Sequence, residues 1–161
     1  SCDMDKVKEN LYNFLGANRR YQILYDTDIK IIDDYAHHPT EITATIKAAK
    51  KIENGKIIAV FQPHRYSRTN FFLNEFAESL KEADEILLLP IYSAEEENIY
   101  NVSSEKLAEL VGKNAKVYSD QEIMRIVETN KDCANIYLFM GAGSISKIAN
   151  DIKNKLVGEI K

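Results

Sequence analysis

Cysteine, proline and glycine are scarce in this chain of 161 residues, with two, three and six copies. Cys2 and Cys133 are too few for a disulfide framework or a thiolate metal site, and such usage fits a reducing cytoplasm. No Pro/Gly-rich linker, low-complexity tract or internal repeat divides the sequence, so residues 1–161 are expected to form a single domain. No apolar run approaches the roughly 18 residues of a membrane span, and the polar start Ser1-Cys2-Asp3-Met4-Asp5-Lys6 lacks the apolar core of a signal peptide. The expectation is therefore a soluble, cytoplasmic, unexported chain. A net charge of −4 gives no electrostatic reason for general binding to nucleic acid or a membrane surface. Any grip on an anion has to be local.

What the chain does contain is an alternation of strand-like and helix-like segments. Val7, Leu11, Phe14 and Leu15 form an apolar helical stripe closed by Gly16, after which Arg20 to Tyr25 and Lys30 to Ile32 read as strands joined by an Asp-Thr-Asp turn. Pro39 suits the first turn of a helix with Ile42, Ile46, Ala49 and Ile52 on its apolar face, and Asn54-Gly55 ends it. The run from Lys56 to Phe61 reads as a strand covered on both faces. Leu73, Phe76, Ala77 and Leu80 predict a helix, followed by a strand at Ile86 to Leu89. Helices are expected around Ser104 to Val111 and Gln121 to Val127, flanking a short strand at Lys116 to Tyr118. A strand at Ile136 to Met140 meets Gly141-Ala142-Gly143-Ser144, and a last helix carries Ile145, Ile148, Ala149 and Ile152. This order implies an α/β fold, with a doubly wound, mostly parallel sheet and helices on both faces.

Chemistry-bearing residues concentrate in two stretches, Asp33-Asp34-Tyr35-Ala36-His37-His38-Pro39-Thr40-Glu41 and Phe61-Gln62-Pro63-His64-Arg65-Tyr66-Ser67-Arg68-Thr69, which hold all three histidines of the chain. Each follows a strand and precedes a helix, the position of the ligand-binding edge in open α/β sheets, so both should lie on one face, with the side chains of Asp34, His37, His64, Arg65 and Arg68 mostly exposed. Adjacent His37 and His38 on extended backbone point to opposite sides and make a poor metal pair. The acidic pair Asp33-Asp34 could hold a ribose hydroxyl or a hydrated cation, or, with His38, cap the helix that starts near Pro39. Arg65 and Arg68, three apart, could converge on one carboxylate or phosphate with His64 as an added donor or proton carrier, or could neutralise nearby carboxylates. Arg19-Arg20 could reach a nucleotide phosphate or be surface charge. Gly141-Ala142-Gly143 lacks both the third glycine of a dinucleotide fingerprint and the Gly-Lys-Ser/Thr of a P-loop, and reads best as a tight turn. Glu95-Glu96-Glu97 reads as a solvated loop.

The strings Arg19-Arg20-Tyr21-Gln22, Asp33 to Glu41, Phe61 to Thr69 and Met140-Gly141-Ala142-Gly143, in this order and spacing, resemble the C-terminal domain of the Mur ligases. The resemblance runs from about Leu11 to Ala149. Within the family it is similar to the branch that joins L-alanine to UDP-N-acetylmuramate. The Gln-Pro-His-Arg-Tyr-Ser-Arg string sets it apart from the branch that recycles murein tripeptide. The resemblance implies an ATP- and Mg²⁺-dependent ligase of peptidoglycan synthesis whose own N-terminal domain binds the UDP sugar and whose central domain carries the ATP phosphate loop. No such loop occurs in this chain, so both domains are expected to lie outside it, most of the Mg²⁺ binding with them, and the chain alone should not ligate. By the same resemblance Arg20 and Asp34 would serve ATP, whereas His37, His64, Arg65 and Arg68 would face the acyl phosphate and the L-alanine carboxylate. Ser144 stands where the family pattern has Asp or Asn, and Glu95 where a glycine precedes the glutamate matching Glu96. Two other readings of the same residues are a free-standing metal-dependent phosphoesterase built on Asp33, Asp34, His37, His38 and His64, and a bare nucleotide-binding module.

Overall fold

Six strands, β1 (Gln22–Asp26), β2 (Lys30–Asp34), β3 (Lys56–Phe61), β4 (Glu85–Leu88), β5 (Ala115–Val117) and β6 (Asn135–Met140), form one sheet in the order β1-β2-β6-β3-β4-β5. They are seen in a computed structural model that describes residues 18–112, 114–131 and 135–159. Among the described residues six helices accompany them: α1 (Pro39–Ile52), α2 (Tyr66–Phe71), α3 (Leu73–Leu80), α4 (Ser104–Val111), α5 (Asp120–Thr129) and α6 (Ile145–Glu159). Strands β2 to β6 pair in parallel and β1 runs antiparallel to β2. The Asp28 carboxylate fixes the β1–β2 turn by accepting from the Tyr25 and Thr27 hydroxyls and the Ile29 N–H.

The continuous apolar runs of β3 and β6 are the two central neighbours, with side chains alternating between faces. On one face Ile57, Ala59, Phe61, Leu138 and Met140 pack with Ile42, Ile46 and Ala49 of α1, Phe76 and Leu80 of α3, and Leu107 of α4. On the other Ile58, Val60, Tyr137 and Phe139 pack with Ile123 and Val127 of α5 and Ile145, Ile148, Ala149 and Ile152 of α6. Each fully buried large side chain contributes about 1.5–3 kcal/mol, so the sheet is clamped from both sides. Because β6 inserts between β2 and β3, the C-terminal ends of these strands meet: Gly141 N–H donates to Asp34 O, and Gln62 N–H to Met140 O. That is a topological switch point, where open α/β sheets bind ligands.

Local departures from the expected elements have physical causes. β1 starts at Gln22 rather than Arg20, because Arg19 and Tyr21 adopt positive φ of 59° and 46°. β2 continues two residues past Ile32, pairing Asp33 and Asp34 with Phe139 and Met140. Ile52, expected on the apolar face, is instead 64% exposed as the last residue of α1. The segment after β3 forms two helices that meet at Phe72 (φ −109°, ψ 24°). The stripe Val7 to Leu15, Gly16, Cys2 and Cys133 lie outside the described residues. Among the described residues no helix is long and apolar enough to cross a membrane.

Candidate functional site

The first motif leaves β2 and turns into α1 through a capping box. His38 is the N-cap; its Nδ1 accepts from Thr40 N–H (3.3 Å), and Glu41 Oε2 accepts from the His37 and His38 N–H groups. Pro39 occupies the first helical turn, where a missing N–H is harmless. The neighbouring imidazoles diverge. His37 Nδ1 lies 2.9 Å from Tyr35 O and 3.5 Å from Glu41, which makes it a donor, while the His38 ring packs edge-on against Phe72. Among the described residues no three His, Cys, Asp or Glu side chains gather into a metal-holding group.

Asp34 departs from the expected exposure, and of the residues offered as caps for α1 only His38 serves, not the acidic pair. Asp34 is 5% exposed, and both its oxygens are engaged: Oδ2 accepts from Tyr21 N–H (2.7 Å) and Oδ1 from Ala36 N–H (2.8 Å). Asp33 is 1% exposed; it accepts from the Ser146 hydroxyl and lies 3.4 Å from Arg19 Nε. Burial pushes the Asp33 carboxyl up, against the pull of Ser146 and Arg19. Of the two arginines, Arg19 is turned inward. Its guanidinium donates to Gly141 O and covers the Tyr35 ring at 4.9 Å. Arg20 is exposed, 5.8 Å from the same ring.

The second motif leaves β3 next to that edge. Buried Gln62 accepts from Ile145 N–H (3.1 Å) and donates to Ser144 Oγ (3.1 Å), tying the loop to the start of α6. The glycine turn is a close-packing device, as its sequence indicates: a Cβ on Gly143 would sit 2.6 Å from Gln62 Oε1 and 2.8 Å from Tyr92 Cγ, and Gly141 has φ +149° with Gln62 O 2.8 Å from its would-be Cβ. Further on, His64 stacks on Tyr92 (5.4 Å, 13°), a contact fixed by Tyr92 N–H donating to Pro63 O and Arg65 N–H donating to Tyr92 O. His64 Nδ1 is buried without a hydrogen-bond partner. Burial, then the positive charges of Arg68 and Arg65, hold the imidazole below its ordinary pKa of 6.5, with Glu96 opposing them, which favours the neutral ring.

Arg65 occupies the N-cap position of α2 at φ +73°, ψ 136°. For a non-glycine residue this costs of order 1–3 kcal/mol and persists only where the surroundings enforce it. Here they do: its N–H is held by Tyr92 O, and its carbonyl accepts from Thr69 N–H and Thr69 Oγ. The side chain is half exposed, with Nη1 3.5 Å from Glu96 Oε1, and Arg68 is half-buried one turn on. Glu96, placed by sequence in a solvated run, instead accepts from Ser67 N–H (3.0 Å) and Ser67 Oγ (2.8 Å), and those bonds hold its carboxyl below the usual range. Only a contact across 29 residues reveals this role.

His37 thus stands past the C-terminal end of β2, and His64, Arg65 and Arg68 past that of β3, on the two sides of β6, with Tyr35 and Tyr92 exposed beside them. Fold and edge define an α/β domain with a mostly parallel sheet and charged side chains gathered after the C-terminal ends of its strands, where open α/β sheets bind ligands. The chain belongs to the Mur ligase family: the family model described as "Mur ligase, glutamate ligase domain" matches residues 19–143. A UDP-N-acetylmuramate–L-alanine ligase from Fusobacterium nucleatum is 43% identical over 96% of this chain, which covers 36% of that relative. The crystal structure of a UDP-N-acetylmuramate-alanine ligase from Thermotoga maritima matches with 29% identity and a TM-score of 0.73 over 98% of this chain and 34% of its own. A domain from a putative UDP-N-acetylmuramate:L-alanyl-γ-D-glutamyl-meso-diaminopimelate ligase of Haemophilus ducreyi matches with 28% identity and a TM-score of 0.61, over 85% of this chain and 99% of that domain. The chain spans about a third of the length of the curated relatives it matches.

Proposed function

We propose that this chain is the C-terminal domain of a cytoplasmic, ATP-dependent ligase that joins L-alanine to UDP-N-acetylmuramate through an acyl phosphate in peptidoglycan precursor synthesis. The observation that carries the reading is the placement of His37 after β2 and of His64, Arg65 and Arg68 after β3, on one strand-end edge, in a chain 43% identical to a ligase of that name. In this reaction the lactyl carboxylate takes the γ-phosphoryl group of ATP. The L-alanine amine then attacks the acyl carbon, and phosphate leaves from an anionic tetrahedral intermediate. The chemistry calls for positioning and charge stabilisation rather than a protein nucleophile.

The residues suit those tasks. Arg65 and Arg68 present charge-assisted donors to the acyl phosphate and the L-alanine carboxylate. His64, pushed toward its neutral form first by burial and then by its cationic neighbours, contributes a hydrogen bond, and His37, its Nδ1 donating to Tyr35 O, presents its other ring nitrogen to the site. Exposed Arg20 serves the ATP phosphates or ribose. Asp34, with both oxygens engaged by backbone N–H groups, serves the nucleotide by shaping the wall behind it. Mg²⁺ would supply charge neutralisation at the transferring phosphoryl group. No carboxylate cluster of the described residues fits it, so its ligands are assigned to the rest of the enzyme. The N-terminal UDP-sugar domain and the central ATPase domain complete the site, and this chain alone is inactive in ligation.

The likeness to the Haemophilus ducreyi domain keeps one other acceptor in view, the tripeptide L-alanyl-γ-D-glutamyl-meso-diaminopimelate. Competition between radiolabelled L-alanine and that tripeptide in the full-length enzyme, with UDP-N-acetylmuramate and ATP, decides between them. Incorporation of L-alanine is expected, and preferential incorporation of tripeptide would overturn the assignment.

A further inference from the structure

We infer that Glu96 is a positioning residue of the ligation site, its carboxylate aiming the Arg65 guanidinium at the anionic group of the substrate. This rests on the function proposed above. Glu95 and Glu97 are exposed, whereas Glu96 is turned inward by positive φ at Ala94 (49°) and Glu95 (67°) and by its own N–H donating to Ser93 O. Its two oxygens receive different donors: Oε2 takes the Ser67 N–H, and Oε1 takes the Ser67 hydroxyl and faces Arg65 Nη1. Helix α2 has no side-chain cap of its own, so Glu96 provides from another loop the acceptor that its first turn lacks.

The loop after β4 buttresses both motif residues, Tyr92 stacking on His64 and Glu96, four residues on, facing Arg65. A carboxylate fixed by two serine donors repels an anionic substrate, so it does not bind one. A guanidinium has five N–H donors, and engaging one edge with Glu96 leaves others directed at the substrate. Glu41 holds the His37–His38 backbone in the same manner on the other side of the site.

The test uses Glu96→Gln, which keeps an oxygen for Ser67 and removes the charge that attracts Arg65. In the ¹⁵N-labelled 161-residue chain, the Arg65 Nε–H and Ser67 amide signals are expected to move while those of β6 stay in place; unmoved Arg65 and Ser67 signals overturn the inference whatever the enzyme does. In the full-length ligase, KM for L-alanine is expected to rise about fivefold with KM for ATP changed by less than about twofold. The same substitution in an Arg65→Ala background is expected to add nothing, because the two residues act as one unit. Equal losses in both backgrounds would show that Glu96 acts without Arg65 and would overturn the inference. A wild-type enzyme that does not use L-alanine would refute the ligase reading, and the magnetic-resonance arm would still decide the Glu96 contact.

Discussion

Replacing Asp34 by alanine separates a structural aspartate from a ligand-binding one. The substitution strands two backbone donors. Ala36 N–H lies where the residue is fully buried, so water cannot replace its lost acceptor, whereas Tyr21 N–H is partly accessible and can be rehydrated. An unsatisfied buried donor costs about 1–3 kcal/mol and a solvent-rescued one about 1 kcal/mol or less, which puts the sum near 3 kcal/mol. For a chain of this size each kcal/mol lowers Tm by about 2–4 °C, so a fall of about 6–12 °C is expected. The assay is thermal and urea denaturation of the 161-residue chain followed by circular dichroism. The full-length variant should then lose activity in step with its loss of folded protein. An unaltered Tm with a large loss of ATP affinity would refute this reasoning and return Asp34 to direct contact with the nucleotide.

In the full-length enzyme, Arg65→Ala and Arg68→Ala should each lower kcat/KM by about tenfold or more, the size of a lost charge-assisted hydrogen bond, with little change in Tm; a large fall in Tm with unaltered kinetics would make them structural. Gly143→Ala should destabilise the chain by about 2 kcal/mol, because the new Cβ displaces Gln62 and Tyr92, and chemical denaturation reads it directly. His64 has a folded pKa below its unfolded value of 6.5, so the unfolded chain binds more protons in that window and stability falls as pH drops through it. Denaturation between pH 7.5 and 5 should therefore show a steeper loss in the wild type than in His64→Gln; identical slopes would contradict the lowered pKa.

The order of strands and helices was legible because the central strands are apolar on both sides and the helices carry one apolar stripe each, so periodicity and burial agree. The shared edge was legible too, since both motifs follow strands and a parallel sheet collects strand ends. What adjacent residues do was not. Asp33-Asp34 and Arg19-Arg20 are pairs of identical neighbours; that both aspartates are buried depends on β2 continuing through them, and that Arg19 rather than Arg20 turns inward goes with positive φ at Arg19, neither of which has a local signal. The break at Phe72 went unseen because Leu73, Phe76 and Leu80 keep one helical phase on its far side. Glu96 was hidden by its exposed neighbours, and only the fold brings it to Ser67.

The central claim, an acyl phosphate attacked by an amino acid under the Arg65–Arg68 edge, is tested most directly by isotope transfer in the full-length enzyme. With ¹⁸O in both oxygens of the lactyl carboxylate of UDP-N-acetylmuramate, turnover with ATP and L-alanine should deliver one labelled oxygen to each inorganic phosphate released and leave the other in the new amide. Phosphate free of label, or no L-alanine-dependent turnover at all, would contradict the account.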